Sequence, residues 1–266
     1  MNHQTKFFYL LLALLATTLI ASVSGSYHVV MSETHMSFFS KELASAYKAS
    51  VVQAKNITNE KITRSLFPIS KSNSKLRWRT IEGEEYLLVT NVFEDDTKYE
   101  GKEQILLDHG DVWVSAFPQL YDFCLDYIEK HPEATMPDIG LRIHQLLGLP
   151  ANKIDYTLVE FWVRPSDLFR PCADPDISSE KCSIHFPEDV AEEHASWINA
   201  LREATYEDGE KDIEYGGFPW TQLGYTYDWS PESKDNIGLS EYVVKKGSKV
   251  YVQNVYTLDE YCQAGF

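Results

Sequence analysis

The sequence predicts an α+β protein, in which a mixed, partly helical N-terminal domain precedes a C-terminal domain built on a mostly antiparallel sheet. Before residue 150, several segments repeat apolar residues every three or four positions, which is the period of an amphipathic helix. After residue 150, apolar and polar residues alternate as they do in strands. The 266 residues are 44% hydrophobic and 13% aromatic, which is enough to bury a sizeable core. We therefore expect residues 26–150 and 151–266 to form two domains.

Residues 1–25 have the pattern of a secretory signal peptide. Lys6 precedes an apolar run from Phe7 to Ala16, and small residues follow at 21–25. The run is shorter than the roughly 20 residues that a spanning helix needs, although an uncleaved anchor is the alternative. No later stretch is long and apolar enough to span. We therefore expect a secreted protein, periplasmic or extracellular, without stable membrane insertion.

The charge of the chain argues against nucleic acid as a partner. The sequence carries 24 Lys and Arg against 40 Asp and Glu, a formal net charge of −16. A surface this acidic repels a phosphate backbone, and no run of five or more basic residues creates a local exception. The aromatic content also argues against disorder.

The four cysteines predict two disulfides, because an even number in an exported chain usually forms bridges. Three pairings are possible, and sequence distance weakly favours Cys172–Cys182 together with Cys124–Cys262. The alternative is a zinc site that uses Cys172, Cys182 and His185. The chain has no Cys-x2-Cys pair, however, so we expect no metal.

The secondary structure elements can be assigned in order along the chain. Apolar spacing predicts helices over about 34–55, 118–130, 138–147 and 187–204. Runs of β-branched and aromatic residues predict strands over 85–93, 111–116, 156–164 and 249–255. A Lys-Lys-Gly-Ser turn at 245–248 predicts that the strands on either side form a hairpin. Asn56-Ile57-Thr58 matches an N-glycosylation acceptor.

Two ionisable residues of the C-terminal half stand in strand context. Arg170 follows an apolar segment and precedes an Asp- and Pro-rich turn, so its guanidinium could hold a phosphate or carboxylate. The alternative is a structural pair between Arg170 and an aspartate. Glu241 shares a predicted strand face with an apolar neighbour. It is therefore either the buried partner of an arginine or a site residue with a raised pKa.

A third stretch, residues 216–229, contains five aromatic residues and three glycines. Such density suits stacking on a flat ring system, and it suits a packed core equally well. Glycines in the stretch permit close approach of the backbone. The candidate site residues in it are Trp220, Thr221, Tyr225 and Tyr227.

Taken in order, the three stretches resemble the ADP-ribosyltransferase superfamily. Leu168-Phe169-Arg170, followed by residues 173–177, is similar to the opening of the cholera and pertussis toxin catalytic subunits. Ser240-Glu241-Tyr242-Val243 is similar to the element that carries the catalytic glutamate in several branches. The resemblance covers residues 155–266 and nothing before 150. It implies that the C-terminal domain is a split sheet of ADP-ribosyltransferase type.

The resemblance also implies an activity, cleavage of the nicotinamide–ribose bond with NAD as substrate. Glu241 would be catalytic, because a carboxylate offsets the positive charge that develops on the ribose. Arg170 would hold the diphosphate, and an aromatic residue would pack the nicotinamide ring. The NAD-binding residues implied are Arg170, Trp220, Thr221, Tyr225 and Tyr227.

The acceptor of the ADP-ribose is less defined. Leu239 stands where many members of the superfamily carry a Glu or Gln that activates the acceptor. This departure argues against arginine of a target protein as the acceptor. Water, or a nucleophile other than arginine in a host or target protein, fits the sequence better as the acceptor of the ADP-ribose.

Two further functions stay open. One is an NAD glycohydrolase toxin, in which water is the acceptor. The other is a non-catalytic secreted binding protein, in which Arg170 and Glu241 form a buried ion pair. A hydrolase of another kind lacks support, since no Gly-x-Ser-x-Gly, His-Glu-x-x-His or phosphate-binding loop is present. Whether Arg170 and Glu241 share an open cleft distinguishes these possibilities.

Overall fold

The structure is a computed structural model that describes residues 41–93, 98–151, 157–208 and 217–263. Residues from Ala44 onward form one compact unit. The predicted signal peptide, residues 1–25, lies outside the described residues. So does the beginning of the helix predicted from residue 34.

The described ranges contain both helices and strands. The α-helices are α1 (Lys41–Lys55), α2 (Gln119–Lys130), α3 (Met136–Leu147), α4 (Glu192–Glu203) and α5 (Leu258–Gln263). The strands are β1 (Trp78–Ile81), β2 (Glu84–Phe93), β3 (Gln104–Leu106), β4 (Val112–Ala116), β5 (Thr157–Val163), β6 (Leu168–Phe169), β7 (Tyr225–Tyr227), β8 (Ile237–Ser240), β9 (Tyr242–Val244) and β10 (Lys249–Thr257). A π-helical segment, Ala204–Asp208, continues α4. The mixed α+β class is therefore confirmed.

One sheet of eight strands organises the molecule. Its order is β3-β10-β5-β2-β4-β9-β6, with β1 paired to β2, and its pairings are antiparallel. Strands β7 and β8 pair separately. The expected boundary near residue 150 does not divide this sheet, because β10 and β5 lie between β3 and β2. Periodicity identified the strands, but it carries no information about which strands pair.

The turn at 245–248 does not close a hairpin. It joins β9 to β10, but β9 pairs with β4 and β6, whereas β10 pairs with β3 and β5. The two strands next to the turn therefore lie in different parts of the sheet, and the hairpin prediction is wrong. Gly247 has a φ of +84°, which permits the sharp change of direction.

The core lies on both faces of the sheet. On one face, alternate residues of the central strands, such as Val89 and Phe161, pack with Tyr242 and Val244 of β9. On the other face, Leu158 of β5 packs with α2, α3 and α5. Helix α3 begins at a capping box between Thr135 and Asp138, and it ends at Gly148 with a φ of +68°.

Two disulfides join Cys124 to Cys262 and Cys172 to Cys182. The first joins α2 to α5, and the second closes a loop after β6. Both predicted pairings are confirmed. All four cysteines are consumed, which removes the alternative of a zinc site at Cys172 and Cys182.

The feature that positions the candidate site is the separation of β2 from β4. These strands pair only at Val89–Ala116 and Thr90–Ser115. Beyond that point β2 continues along β5 as far as Phe93, while β4 pairs with β9 as far as Val112. The two strands therefore follow different partners and leave a gap in the sheet.

Candidate functional site

A cavity of about 550 Å³ lies where β2 and β4 separate. Its lining residues are Thr90, Asn91, Val92, Phe93, Asp111, Val112, Trp113, Val114, Ser115, Leu120, Leu147, Gly148, Leu149, Leu201, Thr205, Phe218, Pro219, Trp220, Thr226, Tyr227 and Glu241. Most of these residues are apolar or aromatic. The polar ones are Thr90, Asn91, Asp111, Ser115, Thr205, Thr226 and Glu241. Both the size and the lining are typical of a site for a small organic molecule.

Glu241 is one of the two acidic residues among the described residues that line this cavity. It stands between β8 and β9, and its backbone N–H donates to the carbonyl of Gly224 at 3.0 Å. Its Oε2 is shielded from solvent and accepts no hydrogen bond from any residue that the structure describes. Burial raises the pKa of Glu241 to about 8. The carboxyl group is therefore largely protonated at neutral pH in the free protein.

Aromatic rings form one wall of the cavity. Trp113 and Trp220 meet edge to face, with ring centroids 6.4 Å apart. The indole N–H of Trp220 donates to the carbonyl of Pro171 at 3.3 Å, and the hydroxyl of Tyr206 donates to the carbonyl of Trp220. Phe218 also lines the cavity and is 49% exposed. Fixed rings of this kind can pack against a flat ring system.

Arg170 does not line this cavity, contrary to the expectation that it shares a cleft with Glu241. Its side chain is fully buried, and its guanidinium donates to the backbone carbonyls of Asp176, Ile177 and Ser179 at 2.8–3.1 Å. The guanidinium carbon lies 4.8 Å from the ring centroid of Tyr242. Arg170 therefore holds the backbone of residues 176–179 rather than presenting a free guanidinium to a ligand.

The alternative of a buried Arg170–Glu241 ion pair is not realised either. The ion pairs within the described ranges do not join these two side chains. Arg170 also contacts Asp176 through the backbone oxygen, not through the carboxylate. Gly224 separates the two regions: a Cβ there would lie 2.7 Å from Cδ of Arg170, while its carbonyl accepts the N–H of Glu241.

The aromatic and hydroxyl residues predicted for NAD binding are divided between two cavities. Trp220 and Tyr227 line the cavity of Glu241. Thr221, Tyr225 and Tyr227 line a second, more polar cavity of about 280 Å³. The hydroxyl of Thr221 donates to the carbonyl of Tyr225 at 2.5 Å. The threonine that lines the cavity of Glu241 in this part of the chain is Thr226.

Several lining residues precede residue 150, where the sequence indicated no site. Asn91 and Trp113 are the clearest examples. A signal for Asn91 was present, because Thr90-Asn91 interrupts an otherwise apolar and aromatic strand. The side-chain amide of Asn91 donates to the carbonyl of Trp113, which joins β2 to β4 where the strands separate.

A metal centre and a membrane-spanning helix are two other features that would indicate a function. In the four described ranges, no cluster of three or more His, Cys, Asp or Glu side chains is arranged to hold a metal ion. No helix within them combines the length and apolar character needed to cross a bilayer. Searches for similar proteins matched no family model, no curated protein and no solved structure, so the geometry of the cavity carries the functional argument.

Proposed function

We propose that the protein cleaves the nicotinamide–ribose bond of NAD and transfers the ADP-ribose to water or to a protein nucleophile. The observation that carries this proposal is a shielded, unpartnered carboxyl oxygen, Oε2 of Glu241, in a cavity with tryptophan walls. The nicotinamide of NAD is a flat aromatic cation. Such a ring matches both the aromatic wall and the need of Glu241 for a positive partner.

The chemistry assigned to Glu241 is stabilisation of charge. When the bond between the ribose carbon and the ring nitrogen breaks, its electron pair leaves with the nicotinamide, which becomes neutral. The ribose carbon becomes positive, and a carboxylate beside it lowers the energy of that state. Water then forms the new bond to the ribose carbon and releases one proton, so the products are nicotinamide, ADP-ribose and a proton.

The raised pKa of Glu241 is compatible with this role. In the free protein, burial holds the pKa at about 8 because the charged form lacks solvation. A cationic ring bound in the cavity favours the charged form and lowers the pKa again. Binding of the substrate would therefore ionise the carboxyl group at the moment when its charge is needed.

The cavity suits the nicotinamide–ribose end of NAD rather than the diphosphate. Among the residues that line it in the described part of the chain, none is Lys or Arg. The diphosphate needs a cation elsewhere, since the chain as a whole is strongly acidic. Lys246 is the candidate, because it is exposed and its backbone N–H donates to Oδ1 of Asp111, a lining residue, at 2.8 Å.

The fold and the disulfides support the wider proposal. The antiparallel sheet is of the general class that the ADP-ribosyltransferase resemblance implies, although β2 and β4, whose separation opens the sheet, precede the residues that the resemblance covers. Two disulfides are typical of proteins that reside in an oxidising compartment. We include secretion in the proposal on that basis.

The test is direct. The purified, oxidised protein is incubated with NAD, and nicotinamide is quantified by chromatography over time. Release above the level of a Glu241→Gln control supports the proposal. Binding of NAD without release supports the second candidate, a secreted binding protein with no catalytic activity. That candidate is favoured by the absence of Lys and Arg among the described residues that line the cavity. Neither binding nor release would overturn both.

A further inference from the structure

Two side-chain oxygens in the cavity of Glu241 have no hydrogen-bond partner among the described residues. Among the lining residues that the structure describes, the shielded side-chain polar atoms without a partner are Oε2 of Glu241 and Oδ1 of Asn91. Buried acceptors are usually satisfied, so each such atom needs an explanation. Two of them on one cavity indicate a ligand that brings donors.

Two other polar residues in the lining, Asp111 and Thr226, already have hydrogen-bond partners. The carboxylate of Asp111 accepts the indole N–H of Trp197 at 2.8 Å and the backbone N–H of Lys246. The hydroxyl of Thr226 donates to the carbonyl of Leu146 at 2.6 Å and accepts the N–H of Leu239. These groups leave little capacity for a ligand, in contrast to Asn91 and Glu241.

The orientation of the Asn91 amide is determined by its neighbour. Its Nδ2 donates to the backbone carbonyl of Trp113, and a carbonyl can only accept. The oxygen of the amide therefore cannot exchange places with the nitrogen, and Oδ1 is the atom left free. Asn91 is 8% exposed, so solvent does not readily supply the missing donor.

We propose that Asn91 is a specificity-determining residue whose Oδ1 accepts an N–H from the ligand, selecting rings that carry a primary carboxamide. The identification of that ring as nicotinamide rests on the proposed function. In this arrangement Glu241 faces the ribose, while Asn91 reads the carboxamide at the other side of the ring. A ring of the same shape without an N–H donor would leave Oδ1 unsatisfied and bind less tightly.

The experiment compares two free rings that differ in the donor. Nicotinamide carries the N–H donors, whereas 3-acetylpyridine has a methyl group in their place. Binding to the oxidised protein is followed by tryptophan fluorescence, since Trp113 and Trp220 line the cavity. We expect nicotinamide to bind about tenfold more tightly than 3-acetylpyridine, the size of effect that one hydrogen bond gives.

Two variants test whether Asn91 is responsible. Asn91→Leu keeps a similar volume but removes the acceptor, and it should reduce the preference to within about twofold. Asn254→Leu is the matched control, because Asn254 lies on β10 outside the lining of the cavity and its Nδ2 already donates to the hydroxyl of Tyr256 at 2.5 Å. The control should retain the tenfold preference. If Asn91→Leu fails to fold, the comparison of the two rings on the unaltered protein keeps the inference falsifiable, because equal affinities would overturn it.

Equal affinity of the unaltered protein for the two rings would overturn the inference, as would an undiminished preference in Asn91→Leu. The failure of the proposed function has a different signature. A protein that distinguishes the rings but never releases nicotinamide from NAD supports the role of Asn91 and refutes catalysis. A protein that releases nicotinamide but does not distinguish the rings does the reverse. Absence of binding by either ring counts against the role of Asn91.

Discussion

Adjacent residues at the start of β9 belong to two contrasting regions. Glu241 lines the cavity, and its Oε2 lacks a partner among the described residues. Tyr242 lies in the sheet core, beneath the guanidinium of Arg170, whose Nε and Nη2 donate to three backbone carbonyls. Successive residues of a strand face opposite sides of a sheet. On one side of β9, hydrogen bonds to backbone carbonyls hold the Arg170 side chain in place. On the other side, Oε2 of Glu241 has no hydrogen-bond partner among the described residues.

This difference shows why burial of an ionisable group does not by itself identify a site. Glu160 makes the same point within the closed part of the sheet. Its side chain is fully buried on β5, and burial raises its pKa to about 7, although Arg77 and the Tyr256 hydroxyl act in the opposite direction. Glu160 does not line the cavity. Glu241 therefore differs from Glu160 in that its shielded carboxyl group borders a cavity that a ligand can occupy.

The largest expected effect is on turnover. Glu241→Gln preserves shape but removes the negative charge that would stabilise the ribose cation. We expect the rate of nicotinamide release to fall by about two to three orders of magnitude, whereas NAD affinity should fall by about tenfold at most, because the bound cationic ring already favours the charged carboxylate. Glu160→Gln is the matched control, with turnover expected to remain within about threefold. Comparable losses in both variants would erase the distinction between the two carboxyl groups.

The next effect concerns Arg170 on the opposite side of β9. Arg170→Ala leaves three backbone carbonyls without their donor, and we expect the free energy of unfolding to fall by about 3 kcal/mol. Urea unfolding followed by fluorescence measures it. Arg170→Lys, which keeps the charge but not the planar fork, should recover only part of the loss. Unchanged stability with weaker NAD binding would instead indicate that Arg170 contacts the diphosphate.

The pH dependence of stability sharpens the comparison between Glu241 and Glu160. Their folded pKa values, about 8 and about 7, lie above the ordinary value of 4.5. The folded state therefore keeps protons that the unfolded state releases as the pH rises above 4.5. Each group should lower the free energy of unfolding between pH 4.5 and its folded pKa, by at most about 1.4 kcal/mol per pH unit.

Replacement of either residue by Gln should flatten this dependence. The Glu241→Gln curve should lose the part nearest pH 8, whereas the Glu160→Gln curve should lose only the part below about pH 7. Urea unfolding at a series of pH values measures both curves. A free energy of unfolding that rises from pH 5 to pH 8 in the unaltered protein would contradict the assigned direction of both shifts.

The smallest expected effect concerns the exposed turn. Lys246→Ala should weaken NAD binding about threefold at low ionic strength, and the effect should disappear at high salt because exposed charges are screened. The affinity for free nicotinamide should not change. Lys245→Ala is the control, since the ammonium of Lys245 already donates to the carbonyl of Ser166 at 3.2 Å. Identical effects at the two positions would argue against a specific role of Lys246.

The local elements could be predicted from the sequence, because periodicity reports local geometry. Strands β2, β4 and β5 and helices α2 and α3 lie within a few residues of the predicted ranges. Their arrangement in the sheet could not be predicted in this way. Strands from both sides of residue 150 are interleaved in it, and pairing between distant segments leaves no short-range signal.

Part of the candidate site could also be predicted from the sequence. Glu241 could be singled out because a carboxylate within an apolar strand must be paired, shifted in pKa or functional. Arg170 fits the same reasoning, yet its Nε and Nη2 bind backbone carbonyls of residues 176–179, and the residue types of that loop do not reveal such contacts. Asn91 was missed because its role depends on the separation of β2 from β4, a property of the sheet.

The disulfide between Cys124 and Cys262 spans 138 residues of sequence, and the partly exposed loop between α2 and α3, residues 131–135, lies inside that span. A protease that cut the chain once in this loop would produce two fragments joined by the bridge. The strands of the two fragments are also interleaved in one sheet, so neither fragment could dissociate from the other without extensive unfolding. Such nicked molecules would migrate as a single species in denaturing gels until a reducing agent was added.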